Sequence, residues 1–196
     1  MSETGVDLFV LPQLNYLLVE QGYIDFMPKH IFKTRQDNVM CQIIPYKDAR
    51  TDMDILDEVV GPGNWQNDYK RDSKGVLQGG IGINVSGEWV WKWSNGVPSQ
   101  FAKEKGEYSD AFKRAGFMWG IGRCLYDMPR ITVSMQQDEF RVTDSNTYKA
   151  APWFKPNDWE WTLEIEGDKY KKIVAKQRLG SSKALRYDSN PNNKKV

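Results

Sequence analysis

Ser109-Asp110-Ala111-Phe112-Lys113-Arg114-Ala115-Gly116-Phe117-Met118-Trp119-Gly120-Ile121-Gly122-Arg123 is the run whose reading decides the fold. Ala111, Phe112, Ala115, Trp119, Gly122 and Tyr126 recur at helical spacing, with Ser109 or Asp110 as cap and Pro129 as stop. That pattern predicts a helix over about Ser109 to Tyr126 whose apolar stripe faces a sheet. Upstream, Trp65 to Tyr69, Val76 to Val85 and Glu88 to Trp93 read as strands, and Ser86-Gly87 is a tight connection between the last two. The expected fold class is therefore α+β, an antiparallel β-meander packed on a long helix.

Working outward, Ala49, Met53, Leu56, Val59 and Val60 mark a short helix that Asp48 caps and Gly61-Pro62-Gly63 stops. Residues 1 to 32 mix Leu14, Tyr16, Leu17, Leu18 and Val19 with Pro12, Gly22 and Pro28, which predicts a short helix followed by an irregular connection. Beyond Pro129 the pattern is weak until Trp159, Trp161, Leu163 and Ile165 alternate with polar residues, turn at Gly167-Asp168 and return through Tyr170 to Val174. This predicts a late hairpin. From Gly180 the chain is polar, basic and poor in apolar residues, a composition that predicts disorder. The expected organisation is an N-terminal helix and connection over 1–44, a core over 45–130, an extension with the hairpin over 131–179, and a disordered basic tail over 180–196.

Composition excludes several classes. With 196 residues, 40% hydrophobic and 27% charged, the chain suits one compact soluble unit. No apolar run reaches the roughly 20 residues of a membrane span. Met1 to Asp7 has no basic leader and carries Glu3 and Asp7, so the cytoplasm is the expected location. Cys41 and Cys124 form no metal or disulfide pattern, and His30 is the single histidine, so two reduced structural thiols and no cofactor are expected. Net charge is +1, but from Lys169 onward nine basic residues face the single acid Asp188. The remainder is therefore net acidic.

Six constellations bear on chemistry. Lys113 and Arg114 lie outside the apolar stripe, where they read as a donor pair for phosphates or as a solvated face. Lys47 and Arg50 flank the start of the first helix, where backbone donors favour anions and capping is an equal explanation. Gly116, Gly120 and Gly122 each cost about 1 kcal/mol inside a helix, so something must approach that backbone closely. Trp89, Trp91 and Trp93 share one face of a strand; that row reads as core packing before base stacking, with Lys92 pointing to the opposite side, where it is a candidate to line a DNA-binding groove. Asp52, Asp54, Asp57 and Glu58 form a solvated face rather than a nuclease metal cluster. Gly79-Gly80-Ile81-Gly82 lacks the spacing of a phosphate loop and reads as a bent or closely approached strand.

Asp48-Ala49-Arg50, Leu56 through Trp65, and Ser109 through Ala115 continuing over Trp119 to Tyr126 together resemble the Rad-fifty-two/Rad-twenty-two family of double-strand-break repair proteins, particularly its phage Sak-like members. The resemblance covers residues 45 to 130, with the motifs in the family's order. It implies a β-β-β-α core that assembles into an oligomeric ring and anneals single-stranded DNA without ATP, as a binding protein rather than an enzyme. It places DNA-backbone contacts on Lys113, Arg114 and Arg50, and, more loosely, puts Lys103 and Lys105 where the family has basic residues near a second, outer DNA site. A further arginine of the eukaryotic members meets Phe117 here, so that contact falls to Arg123 or Lys105 or is lost. Single-stranded DNA, further copies of the chain, and a single-strand-binding protein or recombinase are the partners it implies. Two other readings stay open: a passive strand-binding module stacking bases on the tryptophan row, and a magnesium nuclease on the Asp52–Glu58 carboxylates.

Overall fold

The computed structural model describes residues 5–7, 11, 13, 14, 22–97, 103–166 and 169–190, without the side chains of 103–105. In chain order the elements are β1 (Asp25–Lys33), β2 (Val39–Tyr46), α1 (Ala49–Val59), β3 (Trp65–Arg71), β4 (Leu77–Val85), β5 (Glu88–Asn95), α2 (Lys103–Trp119), β6 (Ile131–Ser134), β7 (Phe140–Val142), β8 (Tyr148–Ala150), β9 (Glu160–Glu166), β10 (Lys169–Leu179) and β11 (Ser182–Asp188). The fold is mixed α+β with mostly antiparallel sheets. Two compact units form, one from 1–24 and 47–126, the other from 25–46 and 127–196.

In the first unit, Asp48 caps α1 by accepting from the Arg50 and Thr51 amides at 2.6 and 3.1 Å, a cap worth about 1 kcal/mol. Ile55 and Leu56 are fully buried, and Gly61 at φ +84° ends the run. The meander β3-β4-β5 forms as expected. Ser86 and Gly87, at φ +51° and +92°, make the two-residue turn whose handedness matches strand twist.

Helix α2 packs across β4 and β5. Its fully or almost fully buried Ala111, Phe112 and Ala115 meet the face formed by Leu77, Gly79, Ile81 and Ile83. A Cβ on Gly79 would sit 2.9 Å from Ala111, so glycine is what lets the helix come this close. Trp119 anchors the far end by donating its indole N–H to the Ile81 carbonyl at 2.9 Å.

Three expectations in this unit need correction. The long helix occupies Lys103–Trp119 rather than Ser109 to Tyr126. Gly120, at φ +110°, stops it: the Gly120 amide donates to Phe117 O and the Ile121 amide to Gly116 O, the two bonds of a Schellman motif. Tyr126, placed on the buried stripe by periodicity, is 80% exposed in the short turn beyond that stop. Second, Trp91 and Trp93 pair with Gly82 and Gly80, residues on the face of β4 turned away from α2, so the tryptophan row is not helix-facing core. Third, Asp52 is no part of a solvated face, for it is wholly buried, whereas Asp54, Asp57 and Glu58 are exposed.

The second unit holds the sheets β1-β2-β6 and β9-β10-β11 and the hairpin β7-β8. The late hairpin formed, β9 against β10, with a third strand added. Residues 25–33, expected as irregular connection, are a strand paired with β2. Their short alternation, broken by a bulge between Pro28 and His30, hid the strand. The tail expected to be disordered contributes β11, while 191–196 lie outside the described residues. Arg186 explains that strand's order: its guanidinium is 9% exposed, donates to both Glu139 oxygens at 2.9 and 2.8 Å, and packs on the Trp159 ring. Cys41 and Cys124 are both buried outside any disulfide, and burial pushes the Cys41 thiol up to about 11. Among the described residues no helix is long and apolar enough to cross a membrane.

Candidate nucleic-acid interface

The start of α1 and the middle of α2 meet at one carboxylate. Asp52, in the first turn of α1, accepts a short hydrogen bond from the Lys47 ammonium, which is itself 8% exposed. The other Asp52 oxygen is buried, has no hydrogen bond among the described residues and lies against α2 at Gly116, where a Cβ would come within 2.5 Å of it. This is the close approach that glycine at 116 permits. Burial pushes the Asp52 carboxyl up to about 6, opposed by Lys47 and then by Lys113; burial also lowers the Lys47 ammonium. Lys47 is therefore a structural counter-ion, with its charge turned inward.

The three residues that lead the expected DNA-binding set stand differently. Arg50 is exposed, and among the described residues only its backbone amide is engaged, by the Asp48 cap. Lys113 is half-buried close enough to Asp52 and Lys47 to influence both, and no hydrogen bond occupies its ammonium among the described residues. Arg114 is exposed and pairs with Asp110 one turn earlier at 2.7 Å, while Asp110 also accepts from the Val97 amide. Such a surface pair is worth about 0.3–0.5 kcal/mol, so a phosphate competes with it readily.

Lys92 and Arg123 converge on the C-terminal end of α2. Lys92 donates to Met118 O at 3.1 Å and sits 4.1 Å from the Trp119 ring centroid. Arg123 donates to Phe117 O and Met118 O at 3.0 and 2.9 Å. Cations here donate to carbonyls of the helix's last turn and complement its dipole. Burial, and then the charge of Arg123, lower the Lys92 ammonium. Both residues are thus engaged by the fold, and Arg123 lies beside Phe117, its guanidinium 5.7 Å from that ring. Lys103 and Lys105 are on the first turns of α2, but their side chains lie outside the described residues.

Sequence reasoning missed the Asp52 role and ranked core packing of the tryptophan row ahead of a face turned away from the helix. Alternating glycines at 80 and 82 opposite Trp93 and Trp91 were the available signal for the latter. Among the described residues no group of three His, Cys, Asp or Glu side chains is arranged to hold a metal ion. Compared with family models, with curated proteins and with solved structures, the chain gives no match.

Proposed function

We propose that this chain binds single-stranded DNA through its phosphates and anneals complementary strands without ATP, working as a homo-oligomeric ring in homologous recombination. The observation that carries the reading is the first unit's order of three antiparallel strands followed by a helix packed across them, with Lys113 and Arg114 on that helix outside its buried face. It agrees with the architecture that the resemblance over residues 45 to 130 implies. Arg50, Lys113 and Arg114 are the phosphate contacts, and Lys47, Lys92 and Arg123 hold the scaffold that presents them.

Contacts to phosphate leave base edges open, which is what pairing with a second strand requires. A net charge of +1 is compatible with tight binding if a ring repeats a weak basic site along one strand, because linked sites gain avidity. The test is energy transfer between two labelled complementary strands, mixed with the protein without ATP at several salt concentrations. Accelerated pairing that weakens with salt supports the reading. Binding without acceleration leaves a passive strand-binding module, and magnesium-dependent loss of a labelled strand would replace both with a nuclease.

A further inference from the structure

The face of β3-β4-β5 turned away from α2 is built as a flat aromatic surface. Trp91 and Trp93 stack with ring centroids 5.4 Å apart and planes 21° from parallel. Trp89 continues the row and is 43% exposed. Beneath the rings lie Gly82 and Gly80, where a Cβ would meet Trp91 at 2.7 Å and Trp93 at 2.6 Å. Two glycines in the middle of a central strand weaken it, since they pack no side chain. Here they let two indoles lie down on the sheet, leaving no ridge between them. The Lys70 ammonium stands 3.8 Å from the Trp93 centroid, on a side chain that is otherwise exposed. Gln66 and Asp68 of β3 and the bonded pair Gln78 and Asn95, 3.2 Å apart, complete the face.

We infer that this face is a second strand-binding site, at which the tryptophans stack nucleobases and Lys70 meets the neighbouring phosphate. The inference rests on the reading of the chain as a single-stranded DNA-binding protein, but it uses none of the same side chains. A flat indole surface matches the face of any base, and stacking is tolerant of sequence. The ammonium over Trp93 is held by a cation–π contact on a flexible stem, so it moves aside to a phosphate as a base arrives. The polar fringe, three amides and the Asp68 carboxylate, favours a wet ligand over a second protein copy, whose packed interface core excludes water and favours apolar groups.

The experiment compares an oligothymidylate with an abasic deoxyribose-phosphate strand of the same length, by anisotropy with the full chain at one salt concentration. Stacking of even one base makes the thymidylate bind roughly tenfold tighter. Photo-crosslinking an iodouracil-substituted strand to the unaltered protein then places adducts within residues 89–93, and Trp89→Ser narrows the thymidylate advantage without unfolding the chain. Equal binding of both strands, or adducts confined to other segments, overturns the inference and leaves the phosphate-contact reading standing. A Trp89→Ser chain that loses self-association while keeping its DNA affinity assigns the face to a second copy and also overturns it. A variant lacking Arg50, Lys113 and Arg114 separates the readings: a retained thymidylate preference upholds the stacking site alone. If neither strand binds the unaltered chain, both readings fail.

Discussion

Among the described residues each unit buries one ion pair, and the two pairs are finished differently. In the second unit, Arg186 meets Glu139 through two parallel bonds, adds Gln177 and the Ser134 carbonyl as acceptors, and lies 5.0 Å from the Trp159 ring. Glu139 also accepts from the Gln136 amide at 2.8 Å. In the first unit, Lys47 meets a single oxygen of Asp52, and the second oxygen lies against Gly116 without a hydrogen bond among the described residues. A planar fork satisfies both oxygens of a carboxylate where a point charge satisfies one. The arginine pair thus ties β11 to its unit. The lysine pair leaves a carboxylate poised to take up a proton beside Lys113, a residue of the proposed DNA contact.

The largest effect expected from this contrast is in the arginine pair. Arg186→Met leaves Glu139 buried without its cation, and unfolding in denaturant should show a loss of about 3–5 kcal/mol. Replacing Glu139 by Leu in the same chain should restore much of it. If the single change costs under about 1 kcal/mol, the pair does not fasten β11 as described.

Next comes pH. Asp52 titrates near 6 when folded against an ordinary 3.8, so between those values the folded chain holds a proton that the unfolded chain has released. The contribution of Asp52 to stability is therefore fully present below about 4 and is lost as pH rises through about 6. The difference is on the order of 2–3 kcal/mol. Lys47, Lys113 and Asp48 are the charged groups that face the carboxyl, and Asp52→Asn should flatten the slope between pH 4 and 6. An unchanged slope in that variant assigns the titration to other groups.

These two pairs also mark what a sequence yields. Helix α1, its Asp48 cap and the meander were legible because caps, glycine stops and two-residue turns act locally. The end of α2 was misread because Gly122 falls on the apolar stripe as spacing counts it and Gly120 reads as a packing glycine inside the helix, while their positive φ marks a stop. Asp52 looked like a neighbour of Asp54 and Asp57 because only tertiary packing distinguishes a carboxylate under α2 from one in water. The strand at 182–188 was hidden for a related reason: Arg186 reads as tail charge until Glu139, far away in sequence, is brought to it. Of the candidate cations, spacing located Lys113 and Arg114 outside the buried face, but it did not foresee that Lys47, Lys92 and Arg123 are engaged by carboxylate and carbonyl partners.

A third prediction tests why α2 carries glycine opposite Asp52. Gly116→Ala drives a methyl to within 2.5 Å of the Asp52 oxygen, and overpacking of this kind costs about 1–3 kcal/mol. In an Asp52→Ala background the same change should cost far less, which a double-mutant cycle measures. Equal costs in the two backgrounds would mean that the contact does not constrain residue 116.

The smallest stability effect should accompany a large change in binding. Arg114 spends its guanidinium on an exposed pair with Asp110, and Lys113 has no hydrogen bond among the described residues, so replacing both by alanine should cost under about 1 kcal/mol of stability. If the pair contacts two phosphates, the slope of log affinity against log salt for single-stranded DNA should become shallower by about 0.7 for each lost contact. Lys92→Ala should behave in reverse, weakening the end of α2 while leaving the slope in place, because its ammonium serves a carbonyl. A slope unchanged in the Lys113 and Arg114 variant but shallower in the Lys92 variant would move the strand from the middle of α2 to its C-terminal end. The division between cations that hold the scaffold and cations that meet DNA would then have to be redrawn.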